Sequence, residues 1–380
     1  MRLAIITTHP IQYNAPWFKL LGEQSGVELM VFYTWSQTES GVKFDPGFGK
    51  SFTWDIPLLE GYDYRFVTNT AKRPGSSHFS GIVNPTLIRE VEQWKPDLLL
   101  VIGWAFNSHL KAMIRFKGKI PVLFRGDSTL LVTRGFLKDK LRHIFLWLVY
   151  HFIDKALYVG ANNKQYYRKH GLKESQLFFS PHAIENTRFN VSWAPGEISA
   201  KRKDIGCSDA DFVVLFAGKL EKIKNPFFLL EVAKRLQDDD LKIVFAGNGK
   251  LEADLKQRAK DDDRIVFLDF HNQTEMPLLY AGCDLFVLPS FSETWGLALN
   301  EAMASGKAVA ASDQVGAAID LIGPDNGLIF GLDEYDLLVD YIRALKADRS
   351  RCRLAGEKSR QIISRFSFEN LVKGVLDASN

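Results

Sequence analysis

Two carboxylates, Glu293 and Glu301, stand at either end of a polar stretch that contains Gly296, and their spacing points to ligand chemistry. The string from Asp284 to Ser312 reads as a buried strand (Asp284 to Leu288), a polar loop (Pro289 to Trp295), a helix (Gly296 to Ala304) stopped by Gly306, and a second strand (Lys307 to Ala311). In such a unit the loop and the first helical turn lie at the carboxyl edge of a parallel sheet, where unpaired N–H groups and the helix dipole favour a phosphate. Thr294, Trp295, Gly296 and Leu297 form that turn, and Gly296 suits close backbone approach. Helical side chains lean toward the N-terminus, so Glu301 can reach back to a bound group. A carboxylate accepts two hydroxyl hydrogen bonds, and a ribose offers two adjacent hydroxyls. A sugar nucleotide would then meet Glu301 at one end and Glu293 at the other.

These residues need a sheet behind them, and the chain supplies one. Apolar runs at Met1–Thr8, Val27–Tyr33, Leu98–Ile102, Val122–Phe124, Lys155–Val159 and Leu177–Phe179 alternate with helical or irregular segments, the pattern of a parallel sheet with helices on both faces. A second series opens at Asp211–Ala217 and continues through Leu241–Ala246 and Ile265–Leu268. Gly41 to Ser80, rich in Gly, Phe and Ser, reads as a long insertion near the cleft. Thr187 to Asp209 carries Pro195, Gly196 and a Lys-Arg-Lys run without clear periodicity and reads as a linker.

The totals narrow the classes. With 46% hydrophobic and 24% charged residues, 380 residues make two folded domains. Cys207, Cys283 and Cys352 form no Cys/His cluster, so neither a structural metal nor a disulfide framework is expected. The apolar run at the start is too short for a signal-peptide core, and the expectation is a cytoplasmic protein. The net charge of +3 divides unevenly: 24 Lys and Arg against 15 Asp and Glu give +9 for residues 1–190, and 24 against 30 give −6 for the rest. A basic first half suits an anionic partner such as a membrane surface, and nothing has the spacing of a nucleic-acid motif. Arg134 to Asp154 combines basic residues with an apolar run far short of the roughly 20 residues needed to span a bilayer. Two readings stay open: a helix lying on a membrane surface, or one buried against the sheet.

Glu293 and Glu301, with seven residues between them and Ala-Met-Ala-Ser-Gly following, resemble the Glu-x7-Glu signature of glycosyltransferase family 4, retaining enzymes also described as glycosyl transferases group 1. The family shows Glu-Gly-Phe-Gly at the first Glu; Glu293-Thr294-Trp295-Gly296 keeps the last glycine and loses the first. Gly218-Lys219-Leu220, with Lys224 further along the loop, resembles the family's Gly-Arg-Leu and Lys-Gly pair, which implies that Lys219 and Lys224 hold the donor diphosphate. Physics agrees, because a departing nucleoside diphosphate builds negative charge, and one cation at about 4 Å with an effective dielectric near 20 is worth roughly 4 kcal/mol before desolvation. Gly247 and Asn248 are expected to form a tight turn that admits the base or phosphate. The first loop is glycine-rich in the family and holds no glycine here, but His9 at its start is a candidate for site chemistry. Arg125 and Asp127 occupy a stretch that lies by the transferred sugar in the family.

The resemblance implies an α/β protein of two Rossmann-like domains facing across a cleft, the GT-B fold. Residues 1–190 would bind acceptor, 191–210 would link, 211–362 would bind the nucleotide sugar, and a helix in 363–380 would cross back to the first domain. The implied reaction moves a sugar from a nucleotide sugar to a hydroxyl of a glycan or lipid-linked acceptor, with retention and without a metal or other cofactor. Cell-surface polysaccharide or glycoconjugate synthesis, at the cytoplasmic face of a membrane, is the implied setting. A nucleotide-sugar epimerase of the same fold and a noncatalytic binding subunit are the alternatives.

Overall fold

The computed structural model describes residues 1–35, 43–45, 50–52, 54–132 and 135–380. They form two compact units: Met1–Lys43 with Ile56–His182 and Phe368–Asn380, and Phe44–Asp55 with Ala183–Ser367.

Apolar runs become the central strands, buried on both faces as parallel sheets require, and shorter strands flank them. In the first part of the chain these are β1 (Arg2–Thr7), β2 (Glu28–Tyr33), a short ribbon of β3 (Lys43–Asp45) and β4 (Lys50–Phe52), β5 (Asp63–Phe66), β6 (Leu98–Ile102), β7 (Val122–Arg125), β8 (Lys155–Tyr158) and β9 (Leu177–Phe179). Seven of them build the first unit's sheet in the order β5-β2-β1-β6-β7-β8-β9, with parallel pairing. The second unit's sheet runs β12-β11-β10-β13-β14-β15, also parallel, from β10 (Phe212–Ala217), β11 (Leu241–Ala246), β12 (Ile265–Leu268), β13 (Leu285–Leu288), β14 (Ala308–Ser312) and β15 (Gly327–Phe330). In each sheet the chain starts centrally, builds to one edge, then returns to the other side of its first strand. That reversal opens a crevice at the carboxyl ends of two neighbouring strands, the usual ligand position of doubly wound folds.

The stretch expected to link the domains is structured: helix Pro195–Asp204 lies in the second unit, where buried Arg202 pairs with Asp284 at 2.9 Å and donates to the Asp211 carbonyl at 3.0 Å. Part of the expected insertion, Gly41 to Ser80, lies outside the described residues. Within it, β5 joins the main sheet, while Asp55 accepts from the Thr274 backbone N–H at 2.9 Å inside the second unit. The last helix, Phe368–Ser379, is part of the first unit. Ser180 donates to its Leu371 carbonyl at 3.0 Å, and Gly374 lies so close to the Phe179 carbonyl that a Cβ there would collide. The Asp238–Asp240 and Asp261–Asp263 runs sit at the amino edge of the second sheet, tied to Lys346 and Arg264.

Candidate functional site

In the second unit, strand order reverses between β10 and β13, and the loops leaving these two strands meet: the Phe291 N–H donates to the Ile223 carbonyl at 2.8 Å. The first loop, Gly218 to Pro226, leans on the Gly247-Asn248-Gly249 turn. Leu220 donates to the Asn248 carbonyl at 3.0 Å and accepts from the Leu251 N–H at 2.9 Å. A Cβ on Gly247 would collide with the Gly218 carbonyl, and one on Gly249 with the Leu220 carbonyl, so both glycines are needed for loop-on-loop packing. Asn248 is buried; its amide donates to Glu252 at 3.0 Å and Asp269 at 2.8 Å and accepts from the Phe270 N–H at 3.0 Å. Gly247 and Asn248 thus form the expected kind of tight turn, and their own contacts brace the first loop.

The second loop is held from below. Glu293 donates its N–H to Gln314 at 3.1 Å and accepts from Gly316 at 3.0 Å, while the Trp295 carbonyl accepts from Ala317 at 3.0 Å. Gly296 caps the helix Leu297–Ala304 with φ +102°, a conformation open to glycine, and a Cβ there would press on Leu288 and Val315. The glycine is thus required by the turn itself, before any ligand is considered. Trp295 does not present its ring to the loop surface: the indole is buried, donates to Asn300 at 2.9 Å and lies against Phe366.

On this frame Lys224, at the end of the turn Lys222–Lys224, forms an ion pair with Glu293. Burial, with the Lys219 charge nearby, holds the Lys224 ammonium well below an ordinary lysine, to about 8, while Glu221 pulls the other way. Lys219 sits half-buried at the start of the same loop. Glu301 is 4% exposed, and its Oε2 accepts from the Tyr280 hydroxyl at 3.0 Å. A buried carboxylate must be hydrogen-bonded to persist, and Tyr280, which nothing in the sequence marked, fixes one oxygen of this one. Lys219, Lys224, Glu293, Thr294, Gly296, Leu297 and Glu301 are thus all carried by two touching loops and the helix that follows. They offer cationic groups, a helix N-terminus and oriented carboxylates, which together suit a polyhydroxylated phosphate ester.

The remaining candidates belong to the first unit. His9 bonds Thr8 at 3.1 Å and meets the Trp35 ring edge-on at 5.0 Å. Arg125 is buried and donates to the carbonyls of Ser180 and Pro181, so it braces the end of β9. Asp127 lies 3.6 Å from His182, which was not among the candidate site residues. Burial lowers the His182 pKa and the Arg125 charge adds to this, with Asp127 opposing.

Residues 197–362 match a known family model. Its description is "Glycosyl transferases group 1". The match includes the two loops and the helix just described, and it bears out the resemblance seen in the sequence at the level of that family. D-inositol 3-phosphate glycosyltransferases of Nocardia farcinica and Geodermatophilus obscurus are 26% and 30% identical over 57% and 55% of this chain and 49% and 48% of theirs. The chain thus spans about half the length of the curated relatives it matches. Among solved structures, Anabaena HepE in complex with UDP aligns over 99% of both chains with a TM-score of 0.76 at 18% identity. Sucrose-phosphate synthase of Thermosynechococcus elongatus aligns over 99% of this chain and 97% of its own with a TM-score of 0.71 at 17% identity. The fold is the two-domain α/β fold of these structures, GT-B.

Proposed function

We propose that this protein is a retaining glycosyltransferase that moves a sugar from a nucleotide sugar to a hydroxyl of a glycan or lipid-linked acceptor. The observation that carries the reading is the Lys224–Glu293 pair at the strand reversal, with the helix N-terminus beside it. Lys219 and Lys224 would hold the diphosphate and stabilise the charge that grows on it as the sugar leaves, in place of a divalent cation. Glu293 would release Lys224 to the phosphates and take up the donor sugar's hydroxyls. Glu301, oriented by Tyr280, would accept from the ribose. Asp127, His182 and His9 would act on the acceptor side. HepE was solved with UDP, which makes UDP the first nucleotide to try.

The setting we infer is polysaccharide or glycoconjugate synthesis at the cytoplasmic face of a membrane. No helix among the described residues is long and apolar enough to cross one. The contact would be made by helix Phe136–Tyr150, whose Phe136, Leu137 and Leu141 are 77%, 70% and 62% exposed.

A thermal-shift series without added metal, using UDP, GDP, ADP, CDP and dTDP, tests the donor site. Saturation at about 100 times Kd stabilises a fold by about 2.7 kcal/mol, so one nucleotide should raise Tm by several degrees. No shift with any of the five, in folded protein, would remove the donor site. Turnover of the matching nucleotide sugar only when acceptor is added, with the anomeric configuration of the product read by NMR, separates transfer from epimerisation and from binding alone.

A further inference from the structure

Among the described residues from Ala183 to Ser367, Phe291 is the one aromatic side chain that stands exposed, at 45%. It lies on the second loop, two residues before Glu293. Its exposure belongs to an anchored piece of chain. The carbonyl of wholly buried Ser290 accepts from the Ser312 hydroxyl at 2.6 Å, the Phe291 N–H donates to the Ile223 carbonyl at 2.8 Å, and the Glu293 N–H donates to Gln314 at 3.1 Å. A ring presented to solvent from so fixed a backbone is preorganised for a contact.

The bond to Ile223 brings a second apolar residue alongside, 48% exposed. Ile223 is the middle residue of the turn Lys222–Lys224, closed by the Lys224 N–H on Glu221 at 3.0 Å and the Asn225 N–H on Lys222 at 3.1 Å. Asn225, buried at φ +51°, ends that turn in the left-handed region, which asparagine tolerates better than most residues. At three residues per turn, neighbouring side chains point about 120° apart, so Lys224 turns in to Glu293 while Ile223 turns out.

The resulting patch is small and its surroundings are polar: Lys222 and Thr294 are exposed on the same two loops, and the Lys224–Glu293 pair adjoins it. Two side chains cover only a few methylenes of a hydrocarbon chain, a weak hold. A pyranose ring matches the pattern better, with a face of C–H bonds and hydroxyls round its edge. Those C–H groups carry partial positive charge and the face of a benzene ring is negative, so the two stack.

Position along the loop selects which sugar. On the reading proposed above, Glu301 takes the ribose, the helix N-terminus and the two lysines take the diphosphate, and Glu293 takes the donor sugar. Chain order thus runs outward from nucleotide to sugar, and Phe291 comes next.

We propose that Phe291, with Ile223 beside it, is the platform on which a sugar ring of the acceptor stacks, so that the acceptor is a glycan. The inference rests on the donor-site reading, and nucleotide and glycan binding are measured apart so that each can fail alone.

Saturation-transfer NMR is recorded on the full chain, with and without each of the five nucleoside diphosphates. The probes are the methyl glycosides of glucose, galactose, mannose, rhamnose and N-acetylglucosamine, with octyl phosphate for a lipid. At least one glycoside should bind, saturated most strongly at the C–H protons of one ring face. Phe291→Ala should weaken it about tenfold, the scale of one aromatic contact, while Phe291→Trp retains it and Ile223→Ser has a smaller effect. Nucleotide affinity, read by calorimetry, should be the same in all three variants, and in transfer assays Phe291→Ala should raise the KM for acceptor but not for donor. Glycoside binding that depends on Phe291, in a protein that binds none of the nucleotides, supports the platform and removes the donor site. Octyl phosphate binding that depends on Phe291, with no glycoside bound, overturns the glycan in favour of a lipid chain. No glycoside bound by folded protein, or binding that Phe291→Ala leaves unchanged, overturns the platform.

Discussion

In both units the chain reverses its strand order beside its first strand, between β1 and β6 in one and between β10 and β13 in the other. The residues near the two reversals differ in kind. In the second unit they are charged: Lys219, Lys224 and Glu293 stand on loops fastened to each other and to their neighbours through backbone hydrogen bonds. In the first unit they are imidazoles and aromatic rings. His9 rests on Trp35, and the wholly buried His109 bonds the Gly103 carbonyl at 2.7 Å and the Thr34 hydroxyl at 2.9 Å. Because a carbonyl can only accept, Nδ1 of His109 carries the proton, and burial holds the ring neutral, its pKa lowered to about 4. One topology supplies a crevice twice, and the side chains decide that one suits phosphates and the other does not.

If that contrast is right, the largest effect belongs to the charged crevice. Lys224→Met should lower kcat by about 100- to 1000-fold, the scale of losing one preorganised charge-stabilising group, in steady-state assays with the matching donor. A kcat within twofold of the parent would break the assignment. Acid should act instead on the first unit. An imidazole with a depressed pKa contributes stability above its unfolded value of about 6.5 and loses it as pH falls toward 4, so His109 should cost about 2 kcal/mol by pH 5. Urea midpoints at pH 7 and pH 5 measure this, and His109→Gln should flatten the difference.

Alkali should act on the second unit. Lys224 loses its proton near pH 8, so nucleoside diphosphate affinity should fall as pH rises from 7 to 9, and Lys224→Met should remove that slope. Tyr280→Phe, which frees one oxygen of Glu301, should weaken nucleotide binding by about 1 kcal/mol, measured by calorimetry. The smallest expected effect sharpens the contrast most: His182→Ala should leave nucleotide affinity unchanged while lowering transfer to acceptor. A matching loss of nucleotide affinity would end the division of labour between the units.

β10, β11, β13 and β14, with the loop and helix around Glu293 and Glu301, were legible because their apolar runs are almost wholly buried, whereas Gly327–Phe330, only partly buried, was not read as a strand. β5 was not: it is an edge strand, Asp-Tyr-Arg-Phe, with three of its four residues exposed, so no apolar run marks it. Helix Pro195–Asp204 escaped because, apart from Arg202, none of its residues is buried, which leaves no apolar stripe to read. Tyr280 and His182 reach their partners, Glu301 and Asp127, across 21 and 55 positions of chain, and no local spacing announces such pairs. Gly247 and Gly249 were conspicuous, but their purpose lay in the carbonyls of another loop.

The first unit is assembled from three pieces of chain, the last being Phe368–Asn380. On the ribosome, β1 to β9 emerge long before the helix that lies against Phe179 and Ser180 has been made. Throughout that interval the nascent chain holds a sheet with an open apolar flank. A stop codon just before Phe368 would therefore damage the unit that Met1–Lys43 opens, although the change falls more than 180 residues after His182.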